Sequence, residues 1–165
     1  MKKNKHSYGI LMKGISLLFF AFFTLKMETI FAQIVSNNGA FISFAIGTVI
    51  GADTINNDNT TTLANAGTLN TYSINNSGII QGDGTYNIAR NFINTGTFSC
   101  GSSSVNYNGS VAQNIAALNY YDLIVTLNGT RAITLAGTIG VANIFSPATT
   151  TTSTFQIATI EVVDK

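Results

Sequence analysis

Ile74-Asn-Asn76-Ser-Gly78-Ile-Ile80 and Phe92-Ile-Asn94-Thr-Gly96-Thr-Phe98 share one pattern, apolar-x-Asn-x-Gly-x-apolar, with their glycines 18 positions apart (96 − 78). Two more copies lie upstream, Val35-Ser-Asn37-Asn-Gly39-Ala-Phe41 and Leu63-Ala-Asn65-Ala-Gly67-Thr-Leu69. Degenerate versions cover residues 105–111 and 133–139, where Tyr107 and Leu135 replace the Asn. Short units that recur between β-prone runs mark stacked structural repeats. The chemistry of the unit fits a coil that turns sharply between strands. Gly takes a left-handed conformation there without steric cost. The Asn two residues earlier points inward, pairs with backbone groups left open by the turn, and stacks on the Asn of the next coil. The flanking apolar residues then fill the interior.

Working outward, period-2 alternation recurs in short runs. Val105 and Tyr107, then Leu123, Val125 and Leu127, then Ile133 and Leu135 each alternate with polar or outward residues. That is the signature of half-buried strands. Asn76 and Asn94 are expected as inward ladder residues, with Val105, Tyr107, Leu123, Val125, Ile133, Leu135, Ile139 and the flanking residues of the four units forming the core. No sustained helical stripe appears, and residues 112–121 are the one candidate for a helical turn. The expected fold is all-β, a right-handed parallel β-helix or solenoid. An antiparallel β-sandwich stays open as the alternative, because Asn128-Gly129 between residues 121–127 and 131–135 reads as a type I′ hairpin turn. Successive glycine intervals of 28, 11 and 18 (67 − 39, 78 − 67, 96 − 78) are irregular and call for loop insertions or missed copies.

The N-terminus reads differently. Lys2, Lys3, Lys5 and Lys13 precede or flank an apolar run at residues 15–25. Eleven residues suit a signal-peptide core and fall short of the ~20 that span a bilayer. Phe31-Ala32-Gln33 offers cleavage after Ala32, so residues 1–32 are read as a signal peptide; the competing reading is an uncleaved anchor. The expected location is extracellular or at the cell surface, with no stable membrane span after cleavage. Residues 33–147 are the solenoid domain and residues 148–165 a Thr-rich segment with a C-terminal strand, whose charged end is read as a cap.

Cleavage removes five of the eight basic residues and His6. What remains is Arg90, Arg131 and Lys165 against Asp53, Asp58, Asp83, Asp122, Glu161 and Asp164, a net charge of −3 (3 − 6). A phosphate backbone needs many cationic contacts, so nucleic acid is not an expected partner. With no His left, the commonest general base and metal ligand is missing. Asp53, Asp83, Asp122, Arg90 and Arg131 are the sole candidates for an enzymatic cluster, and nothing in the sequence brings them together. Residues 55–59 and 81–84 each carry one acid, well short of a calcium loop. No catalytic, cofactor-binding or metal-ligating residue is therefore assigned, and no cofactor is expected. Cys100, alone in the chain, is read as a buried small apolar residue.

Residues 96–147 resemble the repeat regions of large secreted adhesin-like proteins of Gram-negative bacteria. The resemblance rests on Gly96-Thr-Phe-Ser-Cys-Gly-Ser-Ser-Ser-Val-Asn-Tyr-Asn-Gly-Ser, Ala112-Gln-Asn-Ile, Tyr120-Tyr-Asp-Leu-Ile-Val and Ile133-Thr-Leu-Ala-Gly-Thr-Ile-Gly-Val. It implies a parallel β-helix in a surface or secreted protein. Such proteins are commonly longer and carry a C-terminal sorting domain, so the chain is expected to be a fragment of, or a module within, a longer assembly. The expected function is a non-catalytic structural or adhesion-type module that presents Thr, Asn and Tyr to carbohydrate or protein and self-associates through open ends. Tyr72, Tyr86, Tyr107, Tyr120 and Tyr121 are the candidates for stacking on sugars. The alternatives are a carbohydrate-active β-helix enzyme and an ice-binding protein using Thr60–Thr62, Thr95, Thr97 and Thr149–Thr152.

Overall fold

The computed structural model describes residues 32–126, 128–147 and 155–156. The expected signal core, Leu127, the Thr run at 149–152 and the charged C-terminal cap lie outside the described residues.

The described chain forms β1 (Ala32–Asn37), β2 (Phe41–Phe44), β3 (Val49–Asn57), β4 (Thr62–Asn65), β5 (Thr68–Asn76), β6 (Ile79–Gln81) and β7 (Thr85–Asn94). It continues through β8 (Thr97–Ser99), β9 (Ser104–Tyr107), β10 (Gln113–Ile115), β11 (Asn119–Val125), β12 (Ile133–Leu135), β13 (Gly140–Pro147) and β14 (Phe155–Gln156). The odd-numbered strands β1 to β13 form one seven-stranded sheet in sequence order. β2, β4, β6 and β8 form a second sheet, and β10, β12 and β14 a third. Every pairing is parallel. The chain is therefore a parallel β-solenoid of about six turns, with no helix among the described residues.

Two expectations are overturned. The Asn128-Gly129 hairpin does not form: β11 pairs with β9 and β13, and β12 with β10 and β14. Gly129 does take a positive φ of 87°, so the turn chemistry is real, but its strands enter different sheets. The helical turn expected at 112–121 is instead β10 and the start of β11.

The interior is a set of columns. Ile50, Leu69, Tyr86, Val105, Leu123 and Phe145 stack through six strands of the large sheet. Val35, Ile55, Ile74 and Phe92 make a second column, and Ile42, Leu63, Ile80 and Phe98 a third from the opposite sheet. Phe98 joins the walls, meeting Phe92 edge-on at 5.2 Å and Tyr86 at 5.9 Å between ring centroids. The core residues expected from alternation, Val105, Tyr107, Leu123, Val125, Ile133, Leu135 and Ile139, are all buried. Phe41 is the exception among the repeat flanks. It lies on the outward column with Thr62, Ile79 and Thr97 and is 66% exposed.

Candidate functional site

The most organised polar feature is an asparagine ladder inside the solenoid. Asn37 Nδ2 donates to Asn57 Oδ1 at 2.9 Å, Asn57 Nδ2 to Asn76 Oδ1 at 2.7 Å, and Asn76 Nδ2 to Asn94 Oδ1 at 2.6 Å. The steps are 20, 19 and 18 residues, one coil each. The second hydrogen of each amide reaches a backbone carbonyl in the next coil: Thr62 from Asn37, Ile79 from Asn57, Thr97 from Asn76. Asn37, Asn57 and Asn76 are buried and Asn94 is half-buried. The inward roles expected for Asn76 and Asn94 are met. A buried amide is tolerable because its hydrogens and oxygen all find partners.

The ladder explains the irregular glycine intervals. Asn65 is not a rung: it ends β4, accepts from Gly67 N at 3.1 Å and donates to Thr85 O at 3.2 Å. Asn57 is a rung that the pattern misses, because Asn59 stands where Gly would. There Thr60 takes the left-handed conformation (φ 71°), and Thr61 Oγ1 bonds to Asn57 Oδ1 at 2.9 Å. The signal that finds it is the offset of 19 that aligns Ile55 and Asn57 with Ile74 and Asn76.

The reason for Gly also changes. Gly39 has a positive φ, but Gly67, Gly78 and Gly96 do not. Close approach selects Gly at these three positions. A Cβ at Gly96 would run into the backbone of Ser77 and Gly78, and one at Gly78 into the carbonyls of Asp58 and Thr61.

Farther along the solenoid, the turn that follows β9 is closed by two side chains absent from the expected core. Gln113 Oε1 accepts from Gly109 N at 3.1 Å, while its Nε2 donates to the carbonyls of Ile88 (2.9 Å) and Arg90 (3.0 Å). Arg131, 6% exposed, donates to the carbonyls of Thr126 (2.7 Å) and Tyr107 (3.1 Å), and also to Gly109 O and Gln113 Oε1. Its Nε has no partner among the described residues. Burial pushes its guanidinium pKa down. Carrying the alternation of Ile133 and Leu135 one step back places Arg131 on the same inward face, which is the sequence signal for it.

Next to this corner lies a closed phenol pair. Ala116 N donates to Tyr107 Oη at 3.1 Å, and Tyr120 O–H donates to Ala116 O at 2.8 Å. Tyr120 has one hydrogen, so Tyr107 O–H donates across the 3.1 Å gap to Tyr120 Oη. Burial raises Tyr107 to about 12 and Tyr120 well above the usual phenol value. Tyr86 is also buried and raised by burial. These three are core residues and offer no stacking surface. Of the candidate sugar platforms, Tyr72 is 52% exposed and Tyr121 half-buried.

The solvent face of the large sheet carries its own amide columns. Asn87 Nδ2 donates to Asn70 Oδ1 at 2.8 Å, Asn106 Nδ2 to Asn87 Oδ1 at 3.3 Å, and Asn75 Nδ2 to Asn56 Oδ1 at 2.9 Å. Arg90 lies over the Tyr72 ring at 5.8 Å from its centroid. The carboxylates are scattered. Asp53 is exposed, Asp58 half-buried at the turn that holds Thr61, and Asp83 accepts from Ser102 N at 2.8 Å, a bond that lowers its pKa. Asp122 Oδ1 accepts from Asn143 Nδ2 at 2.8 Å and Ile144 N at 3.1 Å. Among the described residues no three His, Cys, Asp or Glu side chains group to hold a metal. Thr60 is exposed and Thr61 buried, so this run is not a flat array. Cys100 is half-buried, more open than expected.

Comparison with protein-family models, curated proteins and solved structures finds no match to this chain.

Proposed function

We propose that this chain is a non-catalytic structural or adhesion-type module, exported and held outside the cytoplasm, whose solenoid faces meet carbohydrate or protein. The observation that carries the reading is where its ionisable side chains are engaged. Arg131 is enclosed by carbonyls, Asp83 holds the Ser102 turn, Asp122 ties β13 to β11, and Arg90 lies on Tyr72. Groups that each brace a different turn or strand are poorly placed to act together on one substrate. The outward Asn columns and Tyr72 instead supply fixed amides beside an exposed ring, a combination suited to hydroxyl-rich or peptide surfaces.

Export is tested by expressing residues 1–165 in a secreting host and sequencing the recovered N-terminus. Gln33 as the first residue supports the reading, and retention of Met1 in the cytoplasm opposes it. Binding and turnover are tested together by incubating the recovered protein with immobilised polysaccharides. Retention without new reducing ends is the expected result; release of cleaved sugar would overturn the non-catalytic reading.

A further inference from the structure

We propose that the first coil is the docking site for a second copy of this chain, added head to tail so that the seven-stranded sheet continues across the junction. The inference rests on the reading of the chain as a structural module and identifies the surface and the partner.

Three separate features converge on this end. First, β1 pairs only with β3 among the described strands, and no described strand lies on its other edge. Second, the apolar interior is uncovered there. Val35, Ile42 and Ile50 are half-buried, whereas their neighbours one coil on, Ile55, Leu63 and Leu69, are fully buried. Among the described residues, four of the nine exposed large apolar or tyrosine side chains, Ile34, Phe41, Ile46 and Val49, also lie in this one coil. A concentration of exposed apolar side chains marks an interaction surface.

The third feature sets the direction. Every rung of the inner ladder donates towards the C-terminal end. Both Asn37 amide hydrogens are thus engaged, by Asn57 Oδ1 and Thr62 O. Its Oδ1 accepts only Ala40 N at 3.2 Å among the described residues. Asn57 Oδ1 accepts two bonds, from Asn37 and Thr61, so the open end of the ladder has room for one more donor. Two first coils facing each other would set acceptor against acceptor and β1 antiparallel to β1. A β13 edge laid on β1 keeps the parallel sense and the coil step of about 4.8 Å. Among the described strands β13 pairs with β11 alone and is the last strand of the large sheet. A heterologous contact of this kind does not close on itself, and its product grows as a filament.

The test is sedimentation velocity over a concentration series, run on both purified residues 1–165 and the exported form. Because cleavage is read separately by N-terminal sequencing, failure of export and failure of docking are distinguishable. The expected result for the exported form is a mass that rises past twice the protomer and keeps rising. Ile34→Lys with Phe41→Lys should return it to monomer with an unchanged far-ultraviolet dichroism spectrum, since both side chains are exposed and edge lysines oppose pairing. Ile46→Lys, at an 87% exposed loop residue, is the second variant should the first not fold. A plateau at two protomers would overturn head-to-tail addition, and a monomer at every concentration would overturn docking. An uncleaved monomer whose residues 1–31 protect the first-coil amides from exchange would give the site to the chain's own leader, and would also overturn it.

Discussion

Replacing Asn76 by Ala removes the centre of the inner ladder. Asn76 is buried, accepts from Asn57 Nδ2 at 2.7 Å, and donates to Asn94 Oδ1 at 2.6 Å and Thr97 O at 3.0 Å. Asn57 keeps its bond to Ile79 O, but its second amide hydrogen is left facing a methyl group in a sealed interior. One buried donor without a partner costs about 1–3 kcal/mol. Asn94 is half-buried, so water replaces part of what its oxygen loses, and Gly78 O retains its bond from Thr97 N. The sum stays near the upper part of that range. With a urea slope of roughly 2 kcal/mol per molar, the midpoint should fall by about 1 M. Asn75→Ala is the control: it sits beside Asn76 on the same strand, but its bond to Asn56 lies on the solvent face. A surface change of this kind should stay within about 0.5 kcal/mol. Urea melts of dilute protein compare the two. Equal midpoints for Asn75→Ala and Asn76→Ala would refute the ladder as a stabilising element.

Arg131→Met should lower stability by about 3 kcal/mol, because it leaves the Tyr107, Gly109 and Thr126 carbonyls without their charged donor, and Arg131→Lys should recover only part of the loss in the same melts. Gly109→Ala should be severely destabilising, at about 3 kcal/mol or more, since a methyl there meets the Ala89 carbonyl, whereas Gly129→Ala meets open space and should cost only about 1 kcal/mol for its positive φ. Tyr107 and Tyr120 predict alkaline unfolding. Their folded pKa values lie above the ordinary value near 10, so the folded state holds these protons more tightly. The stabilisation is complete below about pH 10 and is lost as pH rises through that value towards about 12. Melting temperature should therefore fall steeply over that window, and Tyr107→Phe, which cannot ionise, should flatten the fall.

Much of the interior is legible in the sequence because strand alternation is local. Once Leu123, Val125, Ile133 and Leu135 alternate with outward residues, their facing follows from the period of two, and all four are buried. The same rule run one step back from Ile133 reaches Arg131, and run back from the buried Ile115 it reaches Gln113. Their roles as corner closures escape a pattern that counts apolar residues alone. The inward Asn of the repeat is legible too, since a short amide beside a turn suits unpaired backbone.

What the chain does not declare locally is which segment lies above which. Coil length runs through 20, 19 and 18 residues along the ladder, and those steps are set by hydrogen bonds between strands distant in sequence. Only that stacking separates Asn65 from the ladder and admits Asn57 without its glycine. It also decides why glycine is required: conformation at Gly39, backbone approach from the neighbouring coil at Gly78 and Gly96. The tyrosines divide for the same reason. Tyr72 and Tyr86 both read as candidates for stacking on sugars, but Tyr86 joins an inward column, whereas Tyr72 lies outward beside the register shift between Thr71 and Ser73. Within an unbroken run facing follows from the period of two, and so the sequence determined it; bulges and neighbours along the solenoid axis exist only after the coils stack, and so the tertiary structure decided them.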